Sequence, residues 1–226
     1  MVDKQIIIIG AGGHGKEVCA YLDDWVRQGA KVQLVGFIDE EKPKGPFGGS
    51  TILGDLSDLK TMLRIPETVF HYMTAVGDNE GRKRLVERIE AIRAENLHAW
   101  TFCHPSAYVG QEIQIGEGTC LAPGSLVTAS VSLGKHCIVN VKASLSHDCV
   151  IGDFANINPG AVICGNVQIG EGCFIGAGAK VIEKVSIGEW AVIGAGAVVT
   201  ENIPPHVTAV GIPARVIKRH PMGYPP

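Results

Sequence analysis

Through the second half of the chain, every sixth residue is a large aliphatic one. The series begins at Val109 and runs in steps of six to Val199, with Ile, Leu or Val at each position. A second series, from Ala107 to Ala197, precedes the first by two residues and is small or β-branched throughout. A six-residue period is typical of a parallel β-helix, in which each short strand stacks on the strand one coil away. Residues 99–226 are therefore predicted to form a parallel β-helix, since hairpin turns of a β-sandwich would not keep one register for so long.

The same register gives a place to three of the seven cysteines. Cys137, Cys149 and Cys173 belong to the small series, so their thiols are expected in the interior. The number of cysteines is odd and no Cys-x-x-Cys pair occurs, which favours free thiols over disulfides or a metal site. The apolar run Ile6–Ile9 is too short for a signal peptide or a membrane span. We expect a cytoplasmic protein with no membrane association and no metal.

The first part of the chain shows an alternation of strands and helices instead. The predicted elements are a strand over Gln5–Ile9, a helix from about Lys16 to Gln28, a strand over Lys31–Ile38, a strand over Thr68–Val76 and a helix from about Glu80 to Glu95. This alternation indicates a parallel sheet whose ligand loops lie at the carboxyl ends of the strands. Residues 1–98 are predicted to be a small Rossmann-like βαβ domain with about three strands, so the fold class is an α/β domain followed by a β-helix.

The loop after the first predicted strand has the composition of a nucleotide site. Gly10, Gly12 and Gly15 match the spacing G-x-G-x-x-G, and Asp39 follows the second strand. Glycine lets the backbone approach a phosphate at a helix N-terminus, and an acidic side chain at Asp39 can bond a ribose or a base N–H. Any nucleotide has a phosphate and a ribose or base that such a loop could bind, so the motif is not specific for NAD. The predicted domain is also small for a dinucleotide-binding fold. A nucleotide-linked ligand is therefore favoured over NAD, with a purely structural glycine turn as the remaining alternative.

The charge balance argues against a nucleic-acid partner. The chain has 20 Lys and Arg against 23 Asp and Glu, which gives a net charge of -3. Nucleic-acid-binding domains instead concentrate positive charge on one surface. We therefore expect small-molecule substrates and no nucleic-acid partner.

Polar residues interrupt the hexads most densely around His147. His147 lies two positions after the interior residue Leu145, so its side chain is expected to point outward near a corner. Asp148 is adjacent, and a carboxylate bonded to an imidazole fixes its tautomer. Gly165 follows His147 by 18 residues. If three hexads make one coil, Gly165 lies one coil after His147, and its N–H can face the same groove. Acyl transfer needs at least a general base and a backbone N–H donor that binds the developing oxyanion, and this corner would offer both. The alternative is that His147 is an ordinary surface histidine.

Six short motifs, spread over nearly the whole chain, support a family assignment. They are Gly10–Gly15, Phe37–Glu40, Val76–Arg82, His147–Phe154, Cys164–Val167 and Gly211–Arg215. Each is weak alone, but in this order and spacing they resemble the bacterial nucleotide-sugar acetyltransferases of the left-handed β-helix superfamily. That family includes the enzymes that N-acetylate UDP-4-amino sugars on the route to bacillosamine, and GDP-perosamine N-acetyltransferase. The sialic acid O-acetyltransferases are close relatives.

The resemblance implies a left-handed β-helix and direct transfer of an acetyl group from acetyl-CoA to a sugar amine within a ternary complex. His147 corresponds to the general base of the family, and Asp148 stands where some members have Glu. Gly165 corresponds to the residue whose backbone N–H binds the thioester oxygen. An acyl-enzyme on Cys164, which flanks the site, is the rival mechanism.

The resemblance also assigns binding residues. Acetyl-CoA is expected to contact Asn156, Gly165, Ala177 and Ala195, with Asn156 in place of a histidine that touches the acetyl group in some members. The implied nucleotide-sugar pocket consists of Gly12, Gly13, His14, Asp39, Glu40 and Gly77.

A homotrimer is implied as well, with acetyl-CoA between two neighbouring β-helices and the sites at subunit interfaces. The predicted function is N-acetylation of a nucleotide-linked 4-amino-4,6-dideoxy sugar in the synthesis of a glycan. O-acetylation of sialic acid or of another sugar hydroxyl is the alternative within the superfamily. An NAD-binding protein with a structural solenoid, and a solenoid used only for assembly, are the alternatives outside it. The end of the chain is expected to cap the β-helix.

Overall fold

A computed structural model describes residues 4–221 of the chain, which form two compact units divided between Trp100 and Thr101. We call them the N-terminal unit and the β-helix unit. The elements of the N-terminal unit are β1 (Lys4–Ile9), α1 (Gly13–Arg27), β2 (Val32–Ile38), β3 (Gly45–Phe47), β4 (Ser50–Gly54), α2 (Leu56–Met62), β5 (Phe70–Thr74), α3 (Asn79–Glu90) and β6 (Leu97–Ala99).

The N-terminal unit is built on one six-stranded sheet with the strand order β3-β4-β2-β1-β5-β6. Neighbouring strands are parallel except in the hairpin of β3 and β4. The predicted α/β domain of Rossmann-like type is confirmed, but the expectation of about three strands is wrong. The strands β3, β4 and β6 are only three to five residues long, so they carry too few alternating positions to stand out in the sequence.

β1 is a central strand that is buried on both faces. Ile6, Ile7, Ile8 and Ile9 are no more than 1% exposed, as expected for a continuous apolar run in a covered parallel sheet. The chain leaves β1 through α1 to reach β2 on one side, and it later enters β5 on the other side. At such a switch point the loops that follow β1 and β5 separate and open a crevice at the carboxyl ends of the strands.

The β-helix unit consists of short strands. They are β7 (Phe102–Cys103), β8 (Tyr108–Gln111), β9 (Gln114–Ile115), β10 (Cys120–Leu121), β11 (Leu126–Ala129), β12 (Ser132–Leu133), β13 (Ile138–Val139), β14 (Ser144–Leu145), β15 (Val150–Ile151), β16 (Asn156–Ile157), β17 (Val162–Ile163), β18 (Gln168–Ile169), β19 (Phe174–Ile175), β20 (Lys180–Val181), β21 (Ser186–Ile187), β22 (Val192–Ile193), β23 (Val198–Val199), β24 (Val207–Val210) and β25 (Arg215–Arg219).

These strands form three sheets, which we call faces 1, 2 and 3. Face 1 has the order β25-β24-β22-β19-β16-β13-β10-β7, face 2 the order β23-β20-β17-β14-β11-β8, and face 3 the order β21-β18-β15-β12-β9. From β7 to β23 the neighbours are parallel and pair residues one coil apart, as Leu145 pairs with Ile163. Three hexads therefore make one coil. At the end of face 1, β25 runs antiparallel to β24 and closes the stack.

The aliphatic series fills the interior of this unit. Its members from Leu121 to Val199 are no more than 3% exposed. The parallel β-helix predicted from the aliphatic series implies an interior position for each member, and this is wrong for the first one, because Val109 is 38% exposed. It lies in β8, the first strand of face 2, which has no strand on its outer side. Cys137, Cys149 and Cys173 are fully buried, in agreement with the predicted register.

Candidate functional site

A cavity of about 620 Å³ lies at the carboxyl ends of β1, β2 and β5 in the N-terminal unit. A volume of this size is ordinary for a small-molecule site. The six residues of the predicted nucleotide-sugar pocket all line it, namely Gly12, Gly13, His14, Asp39, Glu40 and Gly77. The fold thus brings them together from three strand ends, while their role in binding a nucleotide sugar stays a prediction.

The glycines after β1 have two different roles. A Cβ at Gly15 would lie 2.3 Å from the Gly10 carbonyl oxygen, and one at Gly10, where φ is +111°, would lie 2.9 Å from the Ala75 carbonyl oxygen. Packing within the unit therefore requires these two glycines. A Cβ at Gly12 or Gly13 would meet no atom within 4 Å. Because both line the cavity where α1 begins, their missing side chains leave the backbone of a helix N-terminus open to an anionic ligand.

Asp39 holds the loop that follows β1. Its Oδ2 accepts a hydrogen bond from the Ala11 N–H at 2.6 Å, and its Oδ1 accepts from the N–H groups of Glu41 and Lys42, each at 3.0 Å. Burial by itself would raise the pKa of Asp39, but these amides and the Lys42 ammonium lower the pKa below its ordinary value. The carboxylate is thus charged at neutral pH, and a direct bond to a ribose or a base would compete with contacts inside the protein.

Two arginines that were not predicted from the sequence also line the cavity. Arg88 forms a bidentate ion pair with Glu40, and Arg84 pairs with Glu80 one turn earlier in α3. Arg84 and Arg88 are four residues apart and so share one face of the helix. The sequence signal for them is a pair of arginines four residues apart in the helix that follows a strand end rich in Gly, Asp and Asn. Each guanidinium is balanced by its carboxylate, so the two arginines offer N–H donors beside the cavity and no net positive charge.

His14 lies at the cavity with one ring nitrogen unpaired. Its Nδ1 is 3.1 Å from Glu17 Oε2, and its Nε2 has no hydrogen-bond partner within residues 4–221. The ring is 12% exposed, and burial lowers the pKa of His14 in spite of Glu17. The imidazole is therefore neutral at pH 7 and donates from Nδ1 to Glu17. This leaves the Nε2 lone pair available to accept a hydrogen bond from a ligand hydroxyl.

In the β-helix unit, His147 lies at the corner where β14 of face 2 leads to β15 of face 3. Its side chain is 60% exposed and points outward. Its Nδ1 is 2.7 Å from Asp148 Oδ2, so the carboxylate reaches the ring although it is one methylene shorter than that of glutamate. Asp148 itself has a φ of +59°, a left-handed conformation that aspartate tolerates better than most residues. In the neutral ring this contact favours the tautomer with the proton on Nδ1, in which Nε2 carries the lone pair.

Gly165 lies at the same corner one coil later, directly against the imidazole. A Cβ at Gly165 would come within 2.4 Å of His147 Cε1 and 2.5 Å of Nε2. Its φ lies outside the left-handed region, so the ring, rather than the backbone conformation, excludes a side chain here. Among the backbone hydrogen bonds of residues 4–221, none is donated by the Gly165 amide. A histidine base and an unpaired N–H are thus neighbours, while their catalytic roles stay predictions.

The other predicted acetyl-CoA residues lie elsewhere on the β-helix unit. Ala177 and Ala195 occupy the corner between faces 1 and 2, one coil apart. In the described part of the chain, neither amide donates a backbone hydrogen bond. Asn156 lies in β16 on face 1, opposite the corner of His147, and is 3% exposed. Within one chain, His147 and Gly165 therefore lie at one edge of face 2, and Ala177 and Ala195 lie at the other edge. The contact of Asn156 with an acetyl group stays a prediction.

The cysteines near the corner differ in accessibility. Cys164, the residue considered for an acyl-enzyme, is half-buried, whereas Cys149 is fully buried. Within residues 4–221, no group of three or more His, Cys, Asp or Glu side chains is arranged to hold a metal ion. The helices in that range are each too short or too polar to cross a bilayer.

Two protein families match parts of the chain. The PglD N-terminal domain matches residues 5–89, and the bacterial transferase hexapeptide (six repeats) matches residues 166–201. The chain is 31% identical over 149 residues to GDP-perosamine N-acetyltransferase of Escherichia coli O157:H7, and 35% identical over 119 residues to UDP-N-acetylbacillosamine N-acetyltransferase of Bacillus subtilis (strain 168). These matches cover 65% and 52% of this chain, and they span 64% and 51% of the two relatives, which is less than two thirds of each.

A solved structure is similar over almost its whole length. PerB from Caulobacter crescentus, in complex with CoA and GDP-perosamine, has a TM-score of 0.83 and 32% sequence identity, over 95% of this chain and 97% of that chain. This likeness confirms the predicted architecture, a Rossmann-like unit followed by a left-handed β-helix of hexapeptide repeats.

Proposed function

The chain belongs to the bacterial nucleotide-sugar acetyltransferases of the left-handed β-helix superfamily, and we propose that it acetylates the amino group of a nucleotide-linked 4-amino-4,6-dideoxy sugar with acetyl-CoA. The relatives support this choice, since two are named as N-acetyltransferases and PerB binds CoA and GDP-perosamine. The observation that carries the proposal is the His147 ring, which is bonded to Asp148 and packs against Gly165, a residue whose amide donates no backbone hydrogen bond within residues 4–221.

In the proposed reaction, the sugar amine attacks the thioester carbonyl carbon of acetyl-CoA. His147 Nε2 accepts a proton from the amine as the C–N bond forms, and Asp148 stabilises the imidazolium. The Gly165 N–H donates to the thioester oxygen as that oxygen becomes an oxyanion. When the C–S bond breaks, the proton passes to the CoA thiolate. The transfer is direct and needs no acyl-enzyme.

The cavity of the N-terminal unit is the proposed site for the nucleotide part of the acceptor. Gly12 and Gly13 leave the start of α1 open to phosphate. Arg84 and Arg88 can donate guanidinium N–H groups to a diphosphate, which would compete with their partners Glu80 and Glu40. The unpaired Nε2 of His14 can accept from a hydroxyl of the ligand. These features favour a nucleotide-linked acceptor over a free sugar.

We further propose a homotrimer whose sites lie between two β-helix units. His147 and Gly165 lie at one edge of face 2, while Ala177 and Ala195, whose amides donate no backbone hydrogen bond within residues 4–221, lie at the other edge. A cleft between two copies can bring the first edge of one chain beside the second edge of the next, so that both groups contact one acetyl-CoA. Cyclic symmetry would repeat that cleft three times. Because acetyl-CoA and nucleotide sugars are cytoplasmic metabolites, the cytoplasm is the proposed compartment.

Thiol release from acetyl-CoA tests the reaction. The acceptors are UDP-, dTDP- and GDP-linked 4-amino sugars, with free sialic acid as the hydroxyl acceptor. We expect release of CoA with at least one nucleotide-linked amine, and an amide product by mass spectrometry. Release with sialic acid alone would identify the O-acetyltransferase alternative. No release with any acceptor would contradict the proposed activity.

His147→Ala tests the role of the base in the same assay. Removing a general base is expected to lower kcat by at least ~10²-fold. Cys164→Ala is the matched control, because direct transfer requires no thiol, and it should retain activity. Near-normal turnover of His147→Ala would refute the assigned base, and loss of activity in Cys164→Ala would favour an acyl-enzyme.

A further inference from the structure

An interior thiol lies beneath the corner of His147. Cys149 belongs to the small series and is fully buried, and its Sγ donates a hydrogen bond to the Cys164 carbonyl oxygen over 3.1 Å. That carbonyl is in the same peptide unit as the Gly165 N–H. In a planar trans peptide the C=O and the N–H point in opposite directions. A thiol that holds the carbonyl from the interior therefore turns the Gly165 N–H outward.

We propose that Cys149 is a positioning residue for acetyl transfer, which holds the Cys164–Gly165 peptide so that the Gly165 N–H faces the thioester oxygen. This inference rests on the function proposed above. The contact also makes the Gly165 amide a better donor, because a carbonyl that accepts a hydrogen bond polarises the whole peptide unit.

The protonation state of Cys149 suits this role. Burial raises the pKa of the Cys149 thiol and outweighs the opposing effect of the Val167 and Asn166 backbone, and Asp148 and Cys164 act in the same direction as burial. The thiol therefore carries its proton at neutral pH and is a donor. The second acceptor near it is the His147 carbonyl oxygen at 3.7 Å, which is the longer of the two contacts. The Cys164 carbonyl is thus the preferred partner.

The same contact recurs in the interior away from the candidate site. Cys137 Sγ donates to the Gly152 carbonyl oxygen at 3.1 Å, and Cys173 Sγ donates to the Gly188 carbonyl oxygen at 3.0 Å. Each thiol reaches a residue 15 positions later, as Cys149 does. The contact is thus a general feature of this β-helix, and at Cys149 it coincides with the peptide that carries the proposed oxyanion donor. Cys173→Ala is therefore a control that loses the same bond elsewhere.

A hydroxyl at this position can replace the thiol. Thr119, in the same series, donates from Oγ1 to the Gly134 carbonyl oxygen at 2.8 Å. Ser125, also in the series, has no hydrogen-bond partner for Oγ within residues 4–221. Threonine is therefore the conservative replacement that keeps the donor. Alanine and valine remove it, and both occur in the series, so Cys149→Ala and Cys149→Val are expected to fold.

The experiment compares Cys149→Ala, Cys149→Val, Cys149→Thr and Cys173→Ala with the wild type, using acetyl-CoA and the nucleotide amino sugar that gives turnover. The two variants without a donor should lower kcat about 3- to 10-fold, the effect of one lost hydrogen bond. KM for either substrate and the pH profile of kcat should stay unchanged. Cys149→Thr should restore most of kcat. Cys173→Ala should lose thermal stability as Cys149→Ala does, with kcat as in the wild type.

Crystal structures of the same variants provide a readout that needs no acceptor. In Cys149→Ala the Cys164–Gly165 peptide should rotate away from its wild-type orientation, and in Cys149→Thr it should keep it. An unrotated peptide in Cys149→Ala would overturn the inference, whether or not the enzyme turns over. Equal losses of kcat in Cys149→Ala and Cys173→Ala would overturn it too, since the effect would then be general. Absence of turnover in the wild type would instead refute the proposed function.

Discussion

The two candidate binding regions of this chain differ in how their residues reach their places. In the β-helix unit, the direction of a side chain follows from its position in the hexad. Leu145 points into the interior, and His147, two residues later, is 60% exposed at a corner. In the N-terminal unit, the cavity is lined by residues from three strand ends, such as Gly12, Asp39 and Gly77. No repeating sequence pattern relates these residues, and tertiary contacts bring them together.

This difference decides what a single substitution is expected to do. At the corner of His147 the backbone is held by coils that stack above and below, so an exposed side chain can change with little effect on the fold. In the cavity, Asp39 both lines the wall and holds the loop that follows β1. A change there should alter binding and stability together.

Of the substitutions that compare the two regions, Gly165→Ala should give the largest effect, and it should be confined to catalysis. The new Cβ would overlap the His147 ring, which is exposed and can swing outward at little cost in stability. Because a displacement of about 1 Å in a catalytic group can cost ~10²-fold, we expect kcat to fall about 10- to 100-fold with an unchanged Tm. Steady-state kinetics and thermal unfolding measure the two quantities.

The controls for Gly165→Ala are built into the chain. Ala177 and Ala195 occupy the same position of the hexad as Gly165, so alanine fits this backbone conformation. In the background of His147→Ala the same substitution should therefore cause no further loss of kcat, as a double-mutant cycle would show. A wild-type kcat for Gly165→Ala alone, or a large fall in Tm, would contradict the assigned contact.

Asp39→Asn should give a smaller and broader effect. An amide has one oxygen and no charge, so it cannot accept from the Ala11 N–H on one side and from Glu41 and Lys42 on the other. We expect a lower Tm and a KM for the nucleotide sugar that is raised about 10-fold, the size of one hydrogen bond. The KM for acetyl-CoA should not change.

Asp55→Ala is the matched control for Asp39→Asn. Asp55 forms the capping box at the start of α2 and is not a cavity residue, so its loss should lower Tm without raising either KM. If Asp39→Asn destabilised the unit but left the KM for the nucleotide sugar unchanged, Asp39 would be a structural residue only, and the contrast between the two regions would be weaker than proposed.

The same contrast explains what could be predicted from the sequence. The hexad period was sufficient to orient His147 and to place Gly165 one coil away, because every coil repeats the same geometry. It failed for Val109, where the repeat begins and a neighbouring strand is missing. In the N-terminal unit the short strands, the ion pair of Glu40 with Arg88 and the amides bound by Asp39 depend on tertiary contacts that no local pattern records.

The smallest expected effect concerns the pH dependence of stability. Burial lowers the pKa of His14 below the ordinary value of 6.5, so the unfolded chain binds a proton at this residue more readily than the folded chain does. His14 therefore costs no stability well above pH 6.5, and its cost grows as the pH falls through that value toward the folded pKa. His14→Gln should remove this cost, which is at most about 1.4 kcal/mol per pH unit for one proton. Urea unfolding at pH 8 and pH 5.5 should show a smaller loss of free energy of unfolding in the variant, and equal losses would show that His14 titrates normally in the folded protein.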